Sequence, residues 1–171
     1  MKIVIHLNQL FAGGIERSMG NLAGGLMDRG HEVRLLLDRD GFADAFRFFP
    51  DGIDVHRTGA ATLPGRILGT RRSLRDQPAD CVLASQHVNC ELSVIASRLA
   101  GTACIPIEHT NWSTSLPELG RLSARRYSHN VCRRVYPLAG PGRRCRRGWP
   151  TTTRSSRACR GRRSRSSTTP W

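Results

Sequence analysis

Three short polar clusters in this sequence contain residue types that bind anions and form hydrogen bonds with ligands. Each cluster lies at or shortly after the end of a short apolar run. The clusters are Gly13-Gly14 with Glu16, Ser85-Gln86-His87, and Glu108-His109-Thr110. Glycines before a helix expose backbone N–H groups, and a helix N-terminus attracts anions, most often phosphates. Together, the clusters indicate a binding site for a polar ligand.

The first cluster, Gly13-Gly14, lies between an apolar run at residues 2–8 and an amphipathic segment that begins at Ile15. A strand, a glycine turn and a helix in this order place a helix N-terminus at the carboxyl edge of a sheet. The sequence has neither a G-x-G-x-x-G fingerprint nor a P-loop lysine, so no dinucleotide or ATP site is specified. Two interpretations remain open, namely a phosphate-binding turn and a simple tight turn.

Strand and helix patterns alternate along residues 1–137, about twenty residues apart. Such alternation predicts βαβ units, and therefore an α/β, Rossmann-like parallel sheet with helices on both faces. In such sheets ligands bind at the carboxyl ends of the strands, where the three polar clusters fall. The predicted strands are 2–8, 31–37, 53–57, 81–85 and 103–107, the predicted helices are 15–27, 63–77, 88–100 and 117–136, and residues 42–49 fit a short helix or a packed loop.

Apolar spacing also predicts which side chains of the helices face the sheet. In the helix at 63–77, Ile67, Leu68 and Leu74 are expected to face inward. Four arginines there are expected to face largely outward, either solvated or against an acidic partner. They are Arg66, Arg71, Arg72 and Arg75. The helix at 88–100 is expected to bury Leu92, Ile95, Ala96 and Leu99.

The net charge of +14 is distributed unevenly. Residues 1–137 contain all thirteen acidic residues and seventeen basic ones, whereas residues 138–171 contain ten arginines and no acidic residue. We therefore predict one domain at 1–137, followed by an Arg/Ser/Thr-rich tail at 138–171 that cannot bury a core and is disordered. An arginine-rich tail also binds nucleic-acid phosphates, which leaves a second interpretation open.

The six cysteines have no metal-ligand spacing, and the N-terminal residues resemble a strand rather than a secretory signal. No apolar run approaches the ~20 residues of a membrane-spanning helix. We expect free, mostly buried thiols, no metal and a cytoplasmic location. Arginines of the helix at 117–136 either face solvent or contact anionic lipid at the inner membrane face. They are Arg121, Arg125, Arg126, Arg133 and Arg134.

Residues 1–137 resemble the N-terminal half of retaining glycosyltransferases of the GT-B fold, family 4. The resemblance rests on four segments in the same order and at similar separations. They are Gly-Gly-Ile-Glu-Arg-Ser at 13–18 with Arg-Gly-His-Glu-Val at 29–33, Leu-Arg at 74–75 with Pro-Ala-Asp at 78–80, Arg-Leu-Ala-Gly at 98–101, and Glu-His-Thr-Asn at 108–111.

The resemblance implies an acceptor-binding domain that works with a second domain carrying a nucleotide-sugar donor. It implies that Gly13 and Gly14 approach the donor diphosphate and that His109 faces the reacting sugar as a catalytic residue. Glu16 is implied either to touch the acceptor or to hold the loop, and His87 is a weaker candidate for the acceptor. The implied partners are a nucleotide-sugar and a carbohydrate or lipid-linked acceptor, with no cofactor and no specific nucleic acid.

The resemblance ends after Pro137, and the genetic code suggests why. If the arginines have CGN codons, a shifted reading frame allows a Val-Ser-x-Gly-Val-Ala type of segment over residues 144–153, in which the alanine is forced and the other positions have alternatives. The same frame allows Ile-Tyr-Asn-Pro-Val over residues 166–171. Both segments are typical of the family, so we interpret residues 138–171 as out of frame after a one-base shift near codons 137–143.

This interpretation makes the chain an acceptor-side domain that is inactive alone. Two alternatives remain. One is a stand-alone α/β binding module with a basic nucleic-acid-binding tail, and the other is a different Rossmann enzyme acting on a sugar or a nucleotide.

Overall fold

A five-stranded parallel sheet forms the centre of the computed structural model, which describes residues 1–109 and 134–140. The spatial order of the strands is β3-β2-β1-β4-β5. The strands are β1 (Lys2–Leu7), β2 (Glu32–Leu37), β3 (Asp54–Arg57), β4 (Cys81–Ser85) and β5 (Ala103–Ile107). Three helices connect them, α1 (Gly14–Met27), α2 (Leu63–Asp76) and α3 (His87–Ala100). A 3₁₀ helix at Ala43–Phe48 occupies the segment that the sequence leaves open. The predicted Rossmann-like α/β fold is confirmed.

Helices cover both faces of the sheet because side chains alternate along the buried strands. On one face, Ile5 of β1 packs in a core cluster with Met19 and Ala23 of α1. On the other face, Val4 packs in a second cluster with Leu74 of α2 and residues of α3. The strand β1 therefore contributes to two hydrophobic cores, which fixes its register within the sheet.

The direction in which the chain adds strands to the sheet reverses between β1 and β4. The chain builds outward from β1 to β2 and β3, then crosses back to place β4 on the other side of β1. At such a switch point the loops after the two central strands diverge and leave a crevice at the carboxyl edge. The loops that follow β1, β4 and β5 are those that contain the three polar clusters.

Three predicted side-chain positions are wrong. Arg66 is predicted to face outward but is 6% exposed, whereas Leu68 is predicted to face inward and is 58% exposed. The buried face of α2 contains Arg66, Thr70 and Leu74, which follow one another at intervals of four residues. Arg66 can be buried because Asp38, which follows β2, supplies a paired carboxylate. Leu99 lies in the last turn of α3 and is 56% exposed.

Most of the predicted helix at 117–136 and of the tail at 138–171 lies outside the described residues. Within 134–140, a 3₁₀ helix spans Tyr136–Leu138, and Gly140 forms an antiparallel bridge with Cys104 of β5. The predicted lipid contact of the arginines at 121–134 and the predicted tail stay predictions. None of the helices in the described ranges is long and apolar enough to cross a bilayer.

Candidate functional site

A cavity of about 440 Å³ lies at the carboxyl ends of β1, β4 and β5. It brings together members of all three polar clusters, as the sequence predicts. Its lining includes Gly13, Gly14, Glu16, Gln86, Glu108 and His109 from the clusters, together with Asn8, Phe11, Ile15, Arg66, Val88 and Asn89. His87 is the first residue of α3, Ser85 is the last residue of β4, and Thr110 lies outside the described residues.

Neither glycine of the first loop is required by its backbone conformation. Gly13 has a φ of −121°, and neither glycine has a positive φ. A Cβ atom on Gly14 would meet no heavy atom within 4 Å, so a side chain there would project into open space. The Gly13 N–H donates to Phe11 O at 2.8 Å and to Glu16 Oε2 at 3.2 Å. The exposed N–H groups that the sequence predicts therefore begin at Gly14, the first residue of α1.

Glu16 holds this loop in place. It is 2% exposed, and its carboxylate accepts hydrogen bonds from Phe11 N at 3.1 Å and from Gly13 N at 3.2 Å. Gln86 Nε2 donates to the same carboxylate at 3.3 Å. A glutamate at the third position of a helix that binds the capping residue's N–H is one half of a capping box. Of the two roles implied for Glu16, the geometry supports the loop-holding one, and its contact with an acceptor stays a prediction.

Gln86 connects the loops that follow β1 and β4. Its φ of +72° is the one positive φ among the described non-glycine residues, a conformation that costs of order 1–3 kcal/mol. Its side-chain oxygen accepts from Asn8 N at 2.9 Å, and its nitrogen donates to Gln9 O at 2.9 Å. Two hydrogen bonds to the backbone of the first loop thus offset a strained backbone in the second. Strain of this kind concentrates at functional sites.

A buried polar network lies beneath the cavity. Arg66 Nε donates to Asp38 Oδ2 at 2.6 Å, and Arg66 Nη2 donates to Asn89 Oδ1 at 3.0 Å. Asp38 Oδ1 lies 3.3 Å from His6 Nε2 and accepts from Thr58 Oγ1 at 2.9 Å. On the other side of its ring, His6 Nδ1 lies 2.7 Å from the hydroxyl oxygen of a serine in α3, Ser93.

The network stabilises Asp38 as a carboxylate. Burial alone would raise the pKa of Asp38, but the hydrogen bonds and charges of His6 and Arg66 outweigh burial and lower the pKa below its usual range. Asp38 is fully buried, so its charge needs these partners. At neutral pH the Asp38–Arg66 pair is therefore ionised.

A second carboxylate, Glu108, borders the opposite side of the cavity. Tyr136 Oη donates to Glu108 Oε1, which connects the 134–140 segment to the loop after β5. Burial and the neighbouring Glu108 raise the pKa of Tyr136, so its hydroxyl stays a donor. Burial, followed by Glu108, also raises the pKa of the Cys90 thiol. His109 comes next in the chain, is exposed and lines the cavity.

A protein-family profile described as "Glycosyl transferase 4-like domain" matches residues 13–163, most of the chain. The chain belongs to the glycosyl transferase 4-like domain family. The matched range includes residues 138–163 of the predicted tail, and the boundary at 137 stays a prediction. No curated protein matches this glycosyltransferase-like chain.

Solved structures share the fold at low sequence identity. A lipopolysaccharide outer core galactosyltransferase, WaaB, is 14% identical with a TM-score of 0.53, over 67% of this chain and 35% of that one. The UDP-GlcNAc 2-epimerase of Neisseria meningitidis is 12% identical with a TM-score of 0.57, over 77% and 39%. Acinetobacter baumannii MurG is 15% identical with a TM-score of 0.52, over 71% and 39%. The match thus spans 35–39% of the length of these three proteins.

Four residues of this glycosyltransferase-like domain that shape the cavity are not predicted to do so. In the sequence, His6 belongs to a predicted strand and Arg66 to a predicted outward face, and no functional role is predicted for Asp38 or Asn89. A sequence signal existed for two of them, because His6 interrupts an apolar run and Asp38 directly follows one. Nothing in the sequence indicates that Arg66 reaches Asp38, which lies 28 positions away.

Proposed function

We propose that this chain is the acceptor-side domain of a retaining GT-B glycosyltransferase. The enzyme transfers a sugar from a nucleotide-sugar donor to a glycan or a lipid-linked acceptor. The observation that carries the proposal is the cavity that brings the start of α1 and His109 together at the switch point of the sheet. A volume of about 440 Å³ is within the range of ~300–1,000 Å³ typical of small-molecule sites.

Each candidate residue has a physical role in this proposal. The N-terminus of α1, at Gly14 and next to Gly13, supplies N–H donors and a partial positive charge for the donor diphosphate. His109 donates a hydrogen bond where charge develops as the glycosidic bond forms. Glu16 holds the glycine loop and, with His87, borders the acceptor.

The solved structures that share the fold support the general class of ligand. One is described as a lipopolysaccharide outer core galactosyltransferase, and another as an epimerase bound to UDP-GlcNAc. Because the match spans 35–39% of their length, we propose that transfer needs a second, donor-binding domain. The chain alone is then inactive. No cofactor beyond the nucleotide-sugar is proposed, and the cytoplasmic location with peripheral membrane contact stays part of the proposal.

The test begins with resequencing of the coding DNA from codon 121 to about a thousand bases past codon 171, with the shifted frame translated beyond codons 137–143. The full chain and a version with the frame joined near codons 137–143 are then expressed. Release of UDP or GDP from nucleotide-sugars is measured with glycans and lipid-linked acceptors present. We expect release from the joined protein, loss of release in His109→Ala, and no release from the full chain alone.

Gly24→Ala is the matched control for His109→Ala. Gly24 lies in α1, away from the cavity lining, and a Cβ there would meet only Pro50 Cγ, at 3.7 Å. A downstream frame without a second Rossmann-like domain would overturn the proposal that a donor-binding half follows. A joined protein whose release is unchanged by His109→Ala would overturn the role of His109.

A further inference from the structure

Arg66 is a buried cation in the wall of the cavity. Its side chain is 7% exposed, although arginine is almost never buried without a partner. It is the fourth residue of α2, which begins at Leu63, and it borders the same cavity as the N-terminus of α1. A surface position would cost less free energy, so this burial requires an explanation beyond the stability of α2.

The contacts of Arg66 fix the orientation of its guanidinium group. Asp38 binds Nε at 2.6 Å and Asn89 binds Nη2 at 3.0 Å, so two sides of the planar group are held. Asn89 is itself fixed, because its Nδ2 donates to His6 O at 2.9 Å and to Ser85 O at 3.1 Å. A cation that is held in this way loses little conformational entropy when it binds a further group.

Part of the guanidinium group is left for a ligand. Arginine has five N–H donors, and the bonds to Asp38 and Asn89 use two of them. Among the residues that the structure describes, no acceptor is bonded to Nη1 of Arg66. A charged side chain that is more than nine-tenths buried, borders a cavity and retains donors is suited to an anionic ligand group.

The charges around the cavity separate an anion-binding side from an acidic side. Arg66 lies near the ends of β1 and β2, because it donates to Asp38, which follows β2, and to Asn89, whose side chain donates to His6 O of β1. Glu108 follows β5, which is two strands away from β1 and therefore about 10 Å across the sheet. Glu16 also borders the cavity, but its carboxylate oxygens accept hydrogen bonds from the loop. The Asp38 carboxylate offsets the charge of Arg66, so an anion beside Arg66 is favoured by the N–H donors that remain, whereas an anion beside Glu108 is disfavoured.

We propose that Arg66 binds a phosphoryl group carried by the acceptor, so that the domain selects phosphorylated acceptors over neutral ones. This inference rests on the proposed function, because it names the acceptor class of the same cavity. A phosphoryl group has two or three oxygens that can accept from the N–H donors of the guanidinium group that Asp38 and Asn89 leave unused. Asp38 acts as a positioning residue for Arg66.

The test measures binding to the full chain by titration calorimetry. The probes are geranyl diphosphate and glucose 1-phosphate, with geraniol and glucose as neutral counterparts and UDP as the donor-side probe. We expect the phosphorylated probes to bind and their neutral counterparts to bind at least about tenfold more weakly. In Arg66→Gln, the affinity for the phosphorylated probes should fall at least about tenfold, since a hydrogen bond to a charged group is lost.

Two further variants keep the result interpretable. Arg72→Gln removes an arginine from the exposed face of α2, where its side chain is 85% exposed, and should leave binding unchanged. If Arg66→Gln fails to fold, the double variant Asp38→Asn/Arg66→Met removes both buried charges together and should fold while losing the same affinity.

Three outcomes would overturn the inference. They are equal affinity for phosphorylated and neutral probes, wild-type affinity in both Arg66 variants, and an Arg66 dependence confined to UDP, which would assign the residue to the donor. A different result would contradict the proposed function while leaving this inference intact. A joined protein that releases no nucleotide, combined with Arg66-dependent binding, would leave the phosphoryl site standing without sugar transfer.

Discussion

Replacing Asp38 by asparagine should strongly destabilise the fold, because it leaves Arg66 as an unpaired buried cation. Asp38 is fully buried, the Arg66 side chain is 7% exposed, and their atoms are 2.6 Å apart. Breaking a buried ion pair by removing one partner costs about 3–5 kcal/mol. This is a large fraction of the ~5–15 kcal/mol that stabilises a typical domain.

Urea denaturation followed by circular dichroism at pH 7 measures this cost. The matched control is Asp76→Asn, which removes an exposed carboxylate 3.8 Å from Arg72. An exposed pair contributes about 0–1 kcal/mol, so the control should unfold close to the wild type. The double variant Asp38→Asn/Arg66→Met should recover part of the loss, because no buried charge remains unpaired. Two results would refute the coupling. One is a decrease in the free energy of unfolding below about 1 kcal/mol in Asp38→Asn, and the other is a decrease in the double variant that equals the sum for Asp38→Asn and Arg66→Met alone.

Three further predictions concern stability and reactivity. The folded state lowers the pKa of Asp38, so its ion pair stabilises the fold fully above the usual pKa near 3.8 and less as pH falls through the folded pKa. Urea midpoints measured from pH 7 to 2 should therefore show a loss of stability in acid, and this loss should be smaller in Asp38→Asn. Gly20→Ala should destabilise by about 1–3 kcal/mol, since its Cβ would lie 1.8 Å from Phe48 O, whereas Gly24→Ala should be neutral or stabilising in the same denaturation assay. Burial raises the pKa of the Cys104 thiol to about 12, so mass spectrometry should find this thiol alkylated at pH 8 only after unfolding.

The fold could be predicted because its signals are local. Each strand is a short apolar run and each helix has an amphipathic repeat, so pattern alone indicates the order of the elements. The convergence of Gly14, Gln86 and His109 could also be predicted, because parallel strands place their carboxyl ends at one edge of the sheet.

The contacts that shape the cavity could not be predicted, because they join residues far apart in sequence. Asp38 and Arg66 pair across 28 positions, and Gln86 reaches Asn8 across 78. A helical repeat indicates which residues share a face of α2, but it does not show that a carboxylate following β2 lies opposite an arginine on that face. The positive φ of Gln86 could not be predicted either, since glutamine has no preference for that conformation.

The two sides of the first loop are held by different elements, and this explains how the cavity keeps its shape. Gln86, just before the start of α3, binds the backbone of Asn8 and the carboxylate of Glu16. Beneath the loop, Arg66 binds Asn89, whose side chain donates to the backbone at the end of β1. Both sets of contacts join residues of this domain to one another. The side of the cavity that this domain forms is therefore organised without a contribution from a second domain. Under the proposed function, the selection of an acceptor would therefore be a property of this domain, while the transfer step would depend on the proposed donor-binding half.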